Sequence, residues 1–193
     1  MTYGNGTFVA VASNSTDAAY SNGFGWTGTA LPVTAGWDSV AYGNGTFVAV
    51  AETHSGGLAY NLAAYSSGFG WTSATLPASA LWTSVAYGGG TFVAVASGGM
   101  QAAYSTDGGA TWTSATLPAS AGWSSVIYAN GTFVAVASAG AQAAYSTNGR
   151  SWTSATLPGS ANWSSVAYGG GIFAAVASST TSGGPTAEAA YSP

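Results

Sequence analysis

Phe8-Val9-Ala10-Val11-Ala12 returns as Phe47 to Ala51, Phe92 to Ala96 and Phe133 to Ala137, and once more as Phe173-Ala174-Ala175-Val176-Ala177. The five copies begin 39, 45, 41 and 40 residues apart, so the chain is a repeat protein and its fold is the fold of one unit stacked on itself. Side chains alternate sides along an extended strand, which puts Phe and Ala on one face of this segment and Val on the other. Both faces are apolar, so the strand must be covered on both sides.

Working outward, Trp37, Trp82, Trp123 and Trp163 each open a W-x-S-V segment before the pentapeptide. Ala-Ala-Tyr-Ser follows it, at Tyr20, Tyr65, Tyr104, Tyr145 and Tyr191. A second tryptophan series, Trp26, Trp71, Trp112 and Trp152, opens W-T-x-x-x-L-P. Each segment is short, β-branched or aromatic, and bounded by Gly, Asn or Pro, which is the signature of a strand. Gly43-Asn44-Gly45 and its counterparts at 88–90, 129–131 and 169–171 supply the positive φ of a tight first hairpin. Pro32, Pro77, Pro118 and Pro158 lack the N–H a ladder needs and are expected to stop the fourth strand.

Four strands in about forty residues is the arithmetic of a propeller blade. The expectation is an all-β, five-bladed β-propeller forming a single domain, with units at approximately 1–36, 37–81, 82–122, 123–162 and 163–193. A β-solenoid, or an open segment of a longer array, is the alternative. The first unit lacks its W-x-S-V opening and the last lacks W-T-x-x-x-L-P. One blade is then incomplete, the chain is a piece of a longer array, or a partner supplies the missing strand. Ring closure, with Met1 to Tyr3 beside Tyr191, is expected because it removes two exposed edges.

Ser105-Thr106-Asp107-Gly108-Gly109-Ala110-Thr111-Trp112 resembles the Asp-box, S-x-D-x-G-x-T-W, of sialidases and other propellers. Ser146 to Trp152 is a shortened relative. The resemblance implies a structural turn between third and fourth strands, carried by Ser105, Asp107, Gly109, Thr111 and Trp112, with the Trp packing inward. Blade count, small size and aromatic-rich, charge-poor units are similar to tachylectin-type lectin propellers and to the repeat domains of bacterial or phage surface adhesins, such as phage tail fibres. A sialidase would need three arginines, and Arg150 is the single cation of its kind.

Charged residues are 3% of the chain, Lys is absent and the net charge is −4, so the basic footprint for nucleic acid or anionic lipid is missing. No stretch reaches the roughly 18 apolar residues of a helical membrane span. No signal peptide is read at Met1, because Tyr3 to Gly6 already belong to the repeat. The absence of Cys excludes thiolate metal sites and disulfides. One His and five scattered carboxylates, Asp17, Asp38, Glu52, Asp107 and Glu188, form no metal cluster. Neither metal nor cofactor is expected.

Glu52 and His54 are the best local catalytic pair, in the longer loop from Glu52 to Asn61, which reads as a solvated insertion. Asn5, Asn44 and Asn130 fit a glycosylation pattern but are already explained as turn residues. The chain is therefore expected to be no enzyme and to have no catalytic residues. It is expected to be a binding module that recognises neutral glycans or a surface receptor through several equivalent sites, in an extracellular, cell-surface or virion setting. A structural or homo-oligomer-forming domain is the alternative, and a glycosidase the third. Trp37, Trp82, Trp123 and Trp163, with Asn162 beside the last, are the expected ligand-binding residues, since an indole face stacks on a sugar ring. Trp26, Trp71, Trp112 and Trp152 are expected in the core.

Overall fold

A computed structural model describes residues 1–54, 60–180 and 189–192. The loop residues between 54 and 60 and the carboxylate of Glu188 lie outside the described residues, as does the side chain of His54. Among the described residues fourteen antiparallel strands form one sheet in chain order. They are β1 (Thr2–Gly4), β2 (Thr7–Val11), β3 (Ser15–Ser21), β4 (Trp26–Gly43), β5 (Thr46–His54), β6 (Tyr60–Ser66) and β7 (Thr72–Gly88), followed by β8 (Thr91–Ser105), β9 (Thr113–Ala129), β10 (Thr132–Ser138), β11 (Gly140–Ser146), β12 (Thr153–Gly169), β13 (Ile172–Thr180) and β14 (Ala189–Ser192).

Every first hairpin turns on two residues of positive φ: Asn5-Gly6 (51°, 74°), Asn44-Gly45 (48°, 81°), Gly89-Gly90 (56°, 82°), Asn130-Gly131 (48°, 78°) and Gly170-Gly171 (59°, 86°). This is the type I′ geometry whose twist matches the flanking strands. It sets each Tyr opposite the Phe of the pentapeptide, with ring centroids 4.6–4.8 Å apart in all five units.

The prolines do not end their strands. In β4 the ladder to β3 runs from Ser21↔Trp26 to Asp17↔Ala30 and resumes only at Ser15↔Ala35. The chain stays extended through Leu31-Pro32 and, from Ala35, pairs with β5 as the first strand of the next unit. β7, β9 and β12 repeat the device. Pro removes one donor, which a local bulge absorbs, and its φ suits an extended chain. Each long strand thus belongs to two units and fixes their order.

Units pack face to face. Val48 and Val50 of one unit meet Phe92, Ala94 and Ala96 of the next, and Val93 and Val95 meet Phe133, Ala135 and Ala137. The W-x-S-V segment ties neighbours together at their first strands. Ser39 and Ser84 accept hydrogen bonds from the Val85 and Val126 amides of the following unit at 3.1 and 3.0 Å. Thr83 and Ser124 donate to the Trp123 and Trp163 carbonyls, both at 2.6 Å.

The sheet is open. Among the described residues β1 pairs only with β2 and β14 only with β13. The expected ring closure is thereby corrected: removing an edge is favourable, but the curvature accumulated over the units does not bring the ends into register.

Candidate functional site

Trp37, Trp82, Trp123 and Trp163 are the first residues to place, and all four are 2% exposed or less. Each indole N–H donates to the carbonyl four residues before it, Val33, Ala78, Ala119 and Gly159, at 3.1–3.2 Å. The extra residues around each Leu-Pro bulge bring that carbonyl within reach. With both faces covered and the N–H satisfied, these rings present nothing to a ligand, so the expected stacking role is corrected to core packing. Asn162 is likewise engaged. Its Oδ1 accepts from the Ala139 amide at 3.1 Å and its Nδ2 donates to Ser179 at 2.7 Å. It thereby supports Ala139, which holds a φ of +60°.

The second series lies further out. Trp26 is 56% exposed, while Trp71, Trp112 and Trp152 are half-buried against the preceding unit. The reason is positional: this Trp stands on the turn between third and fourth strands, at the outer end of each junction, and among the described residues only Trp71, Trp112 and Trp152 have a unit packed against them there.

The turn at 105–112 is fully bonded. Ser105 Oγ donates to Asp107 Oδ1 at 2.8 Å and accepts from the Gly109 amide at 2.9 Å. Asp107 Oδ1 also accepts from the Thr111 amide at 3.0 Å, and its Oδ2 accepts from the Thr111 hydroxyl. Trp112 Nε1 donates to the Gly109 carbonyl at 3.0 Å. Burial pushes the Asp107 carboxyl upward, but the Thr111 and Ser105 hydrogen bonds outweigh it and hold the group below its usual range. In the fourth unit Asn148 replaces Asp, accepting from Ser146, Arg150 and Ser151. That turn is one residue shorter, and the buried Trp152 indole N–H has no acceptor among the described residues.

Asp38 and Glu52 are brought together, a juxtaposition not evident from their separation in the chain. Burial, and secondarily the Glu52 charge, push the Asp38 carboxyl above its usual range. Among the described residues no group of three metal-ligating side chains forms.

Two clefts stand out, at the first and last junctions. The smaller, of about 180 Å³, is lined by Thr7, Tyr20, Ser21, Asn22, Gly25, Thr27 and Phe69. Tyr20 and Phe69 stack there with centroids 4.3 Å apart, and Phe69 is 61% exposed. Thr29 holds the Phe69 turn by donating to its carbonyl at 2.7 Å. The larger, of about 320 Å³, lies between the fourth and fifth units and is overwhelmingly apolar. The signal for the smaller cleft was in the sequence, as Phe24 and Phe69 at the turn position, three residues after Ser21 and Ser66, where Gly108 and Gly149 stand in later units.

No protein-family model matches the chain, and no curated protein matches it either. Solved structures do. Virginiamycin B lyase from Staphylococcus aureus, in a catalytically inactive histidine-to-alanine form with quinupristin, aligns at 13% identity and TM-score 0.73, over 88% of this chain and 62% of its own. YCF48 bound to D1 peptide aligns at 16% and 0.63, over 86% and 55%. The computationally designed Ika4 protein aligns at 12% and 0.54, over 74% and 86%. The chain spans less than two thirds of the length of the lyase and of YCF48. The expectation that the chain is no enzyme is corrected by the first of these, because the architecture that carried that expectation is also the architecture of a lyase. At such identities the likeness shows the fold, and the fold is that of an all-β, β-propeller-like repeat protein.

Proposed function

We propose that the chain is a five-bladed propeller of four-stranded blades, the last described blade having three, and that it recognises a neutral glycan on a cell or virion surface. The observation that carries this reading is the cleft of Tyr20, Phe69, Ser21, Asn22 and Thr27. It offers an exposed aromatic face for sugar C–H groups, and hydroxyl and amide groups for sugar hydroxyls, with no charged side chain in its lining. Phe24 and Trp26, exposed beside it, extend the aromatic surface. The Asp-box reading of 105–112 supports a lectin-like propeller through its bonded Ser, Asp and Trp. Multivalency would arise from several copies of the chain, since the four Trp37-type positions are closed. Binding to a glycan array, followed by titration of the best sugar, tests the reading. Phe69→Ala and Asn22→Ala should each weaken that binding at least tenfold with unchanged stability; a sugar bound equally by both variants would refute it.

Exposed end faces favour a second reading, as an oligomer-forming repeat. Phe8 is 37% exposed where Phe47, Phe92 and Phe133 are 6% or less, and Val176 is 49% exposed where Val50, Val95 and Val136 are at most 1%. The first and last units thus show the two faces that pack together at every internal junction, a head-to-tail complementarity. Sedimentation velocity across a concentration series decides it: association that Val176→Asp abolishes supports the reading, and a monomer throughout removes it.

A further inference from the structure

The 320 Å³ cleft repeats, residue for residue, junctions that are filled elsewhere in the molecule. Val134, Val136, Tyr145, Ala155 and Leu157 form its wall on the fourth unit, and Phe173, Ala175 and Ala190 its wall on the fifth. One junction earlier the equivalent wall is Val93, Val95, Tyr104, Ala115 and Leu117, facing Phe133, Ala135 and Ala144. The difference is a tryptophan and the turn and strand that carry it. Trp152 packs into that earlier junction, as Trp112 and Trp71 do into the two before it, whereas the last cluster holds no such ring.

The consequences are visible in burial. Val48 and Val93 are wholly buried, and Val134 is not; Leu76 and Leu117 are buried, and Leu157 is half-exposed. The turns that carry the filling tryptophans press directly on the wall. A Cβ on Gly109 would meet Val48 at 2.5 Å, and one on Gly149 would meet Val93 at 2.3 Å. Arg150 on that turn also covers the Tyr104 ring, 4.8 Å from its centroid, and Ser151 bridges to Thr116 of the preceding unit. At the last junction Tyr145 and Thr156 stand where Tyr104 and Thr116 are covered.

We infer that this cleft, with the edge of β14 that no described residue pairs, is a binding site for an extended peptide segment that carries a tryptophan preceded by a glycine turn. The segment adds antiparallel to β14, placing the residue after its tryptophan opposite Tyr191, as Thr113 lies opposite Tyr104 and Thr153 opposite Tyr145. Its indole enters the cleft over Val134 and Tyr145. The lining carries no ionisable acid or base other than tyrosine, so the segment is neutral where it is buried. This site is separate from the proposed sugar cleft at the first junction and stands without it.

A fluorescein-labelled peptide with the sequence of residues 108–118, GGATWTSATLP, tests the inference by anisotropy against the full chain. The peptide is expected to bind one to one, its Trp→Ala form at least tenfold more weakly. Tyr145→Ser, at a residue already 43% exposed, and Val134→Asp should each weaken binding at least fivefold, the first without loss of fold. Equal binding of both peptides, no binding up to the solubility limit, or indifference to Tyr145→Ser would each overturn it. So would binding of N-acetyltryptophanamide as tight as that of the peptide, because the site would then take an aromatic group without a strand.

Discussion

Asp38 stands where Thr83, Ser124 and Ser164 stand in later units, and a carboxylate cannot make the hydroxyl donation that Thr83 and Ser124 make to the next unit's Trp carbonyl. Its carboxyl is held above the ordinary range by burial and by Glu52, so the folded chain binds this proton more tightly than the unfolded chain does. The contribution is fully present below the ordinary carboxylate range and is lost as pH rises through the raised value. Asp38→Ser should therefore stabilise the protein at neutral pH, by about 0.5–1 kcal/mol for one recovered hydrogen bond, and should remove that pH dependence; urea unfolding at pH 4 and pH 7 reads both. Asp107 has the opposite sign. Its carboxyl is held low by Thr111 and Ser105, against burial, so its stabilisation is present above the ordinary carboxylate range and fades as pH falls through the lowered value. Asp107→Ala should cost about 1 kcal/mol at neutral pH, no more because solvent reaches the turn. Glycine at the end of each first strand is the third residue to test. A Cβ on Gly43 or Gly88 would lie 1.9 Å from the next unit's Tyr87 or Tyr128 ring. The fourth unit carries Ala129 there, and the Tyr168 of the next unit is more exposed than Tyr87 or Tyr128. Gly88→Ala should destabilise by about 1–3 kcal/mol, the cost of overpacking, measured as a shift in the urea midpoint at constant slope.

At the scale of elements, the hairpins and both apolar faces of the second strand were legible because they depend on chemistry local to the residues. Asn44-Gly45 demands its turn, and Phe-Val-Ala-Val-Ala shows two faces whatever surrounds it. What could not be read was depth. Trp37 and Trp26 both open strands after a loop, and periodicity alone assigns neither to the inside. Depth came from Leu-Pro, read as a stop but acting as a bulge that continues the strand and sets a carbonyl beneath each Trp37-type indole. The candidate site shifted for the same reason: the sugar cleft rests on Phe69, a turn residue of the second unit, stacked on Tyr20 of the first. Trp82→Ala should accordingly cost about 3–5 kcal/mol, as a large buried side chain does, and Trp26→Ala no more than about 0.5 kcal/mol. Chemical denaturation of the two variants side by side gives the ordering.

For the whole molecule, the repeat count and the order of units followed from the sequence, and the open sheet did not, because closure depends on the small rotation between neighbouring units summed over the chain. No residue encodes that sum by itself. Openness is also what leaves Phe8 and Val176 in solvent, so the end-face reading depends on it directly. The chain has no cysteine, which makes the geometry directly measurable with pairs of introduced spin labels. Thr7, Thr46 and Ile172 hold the same place, at the head of the second strand, in the first, second and fifth units. Electron–electron distance measurement on Thr7→Cys/Ile172→Cys, against Thr7→Cys/Thr46→Cys, is the most direct test at a concentration where the chain is monomeric. The open sheet predicts a separation between the first and fifth units well beyond that between the first and second. Equal distances for the two pairs would mean a closed ring, and would contradict it.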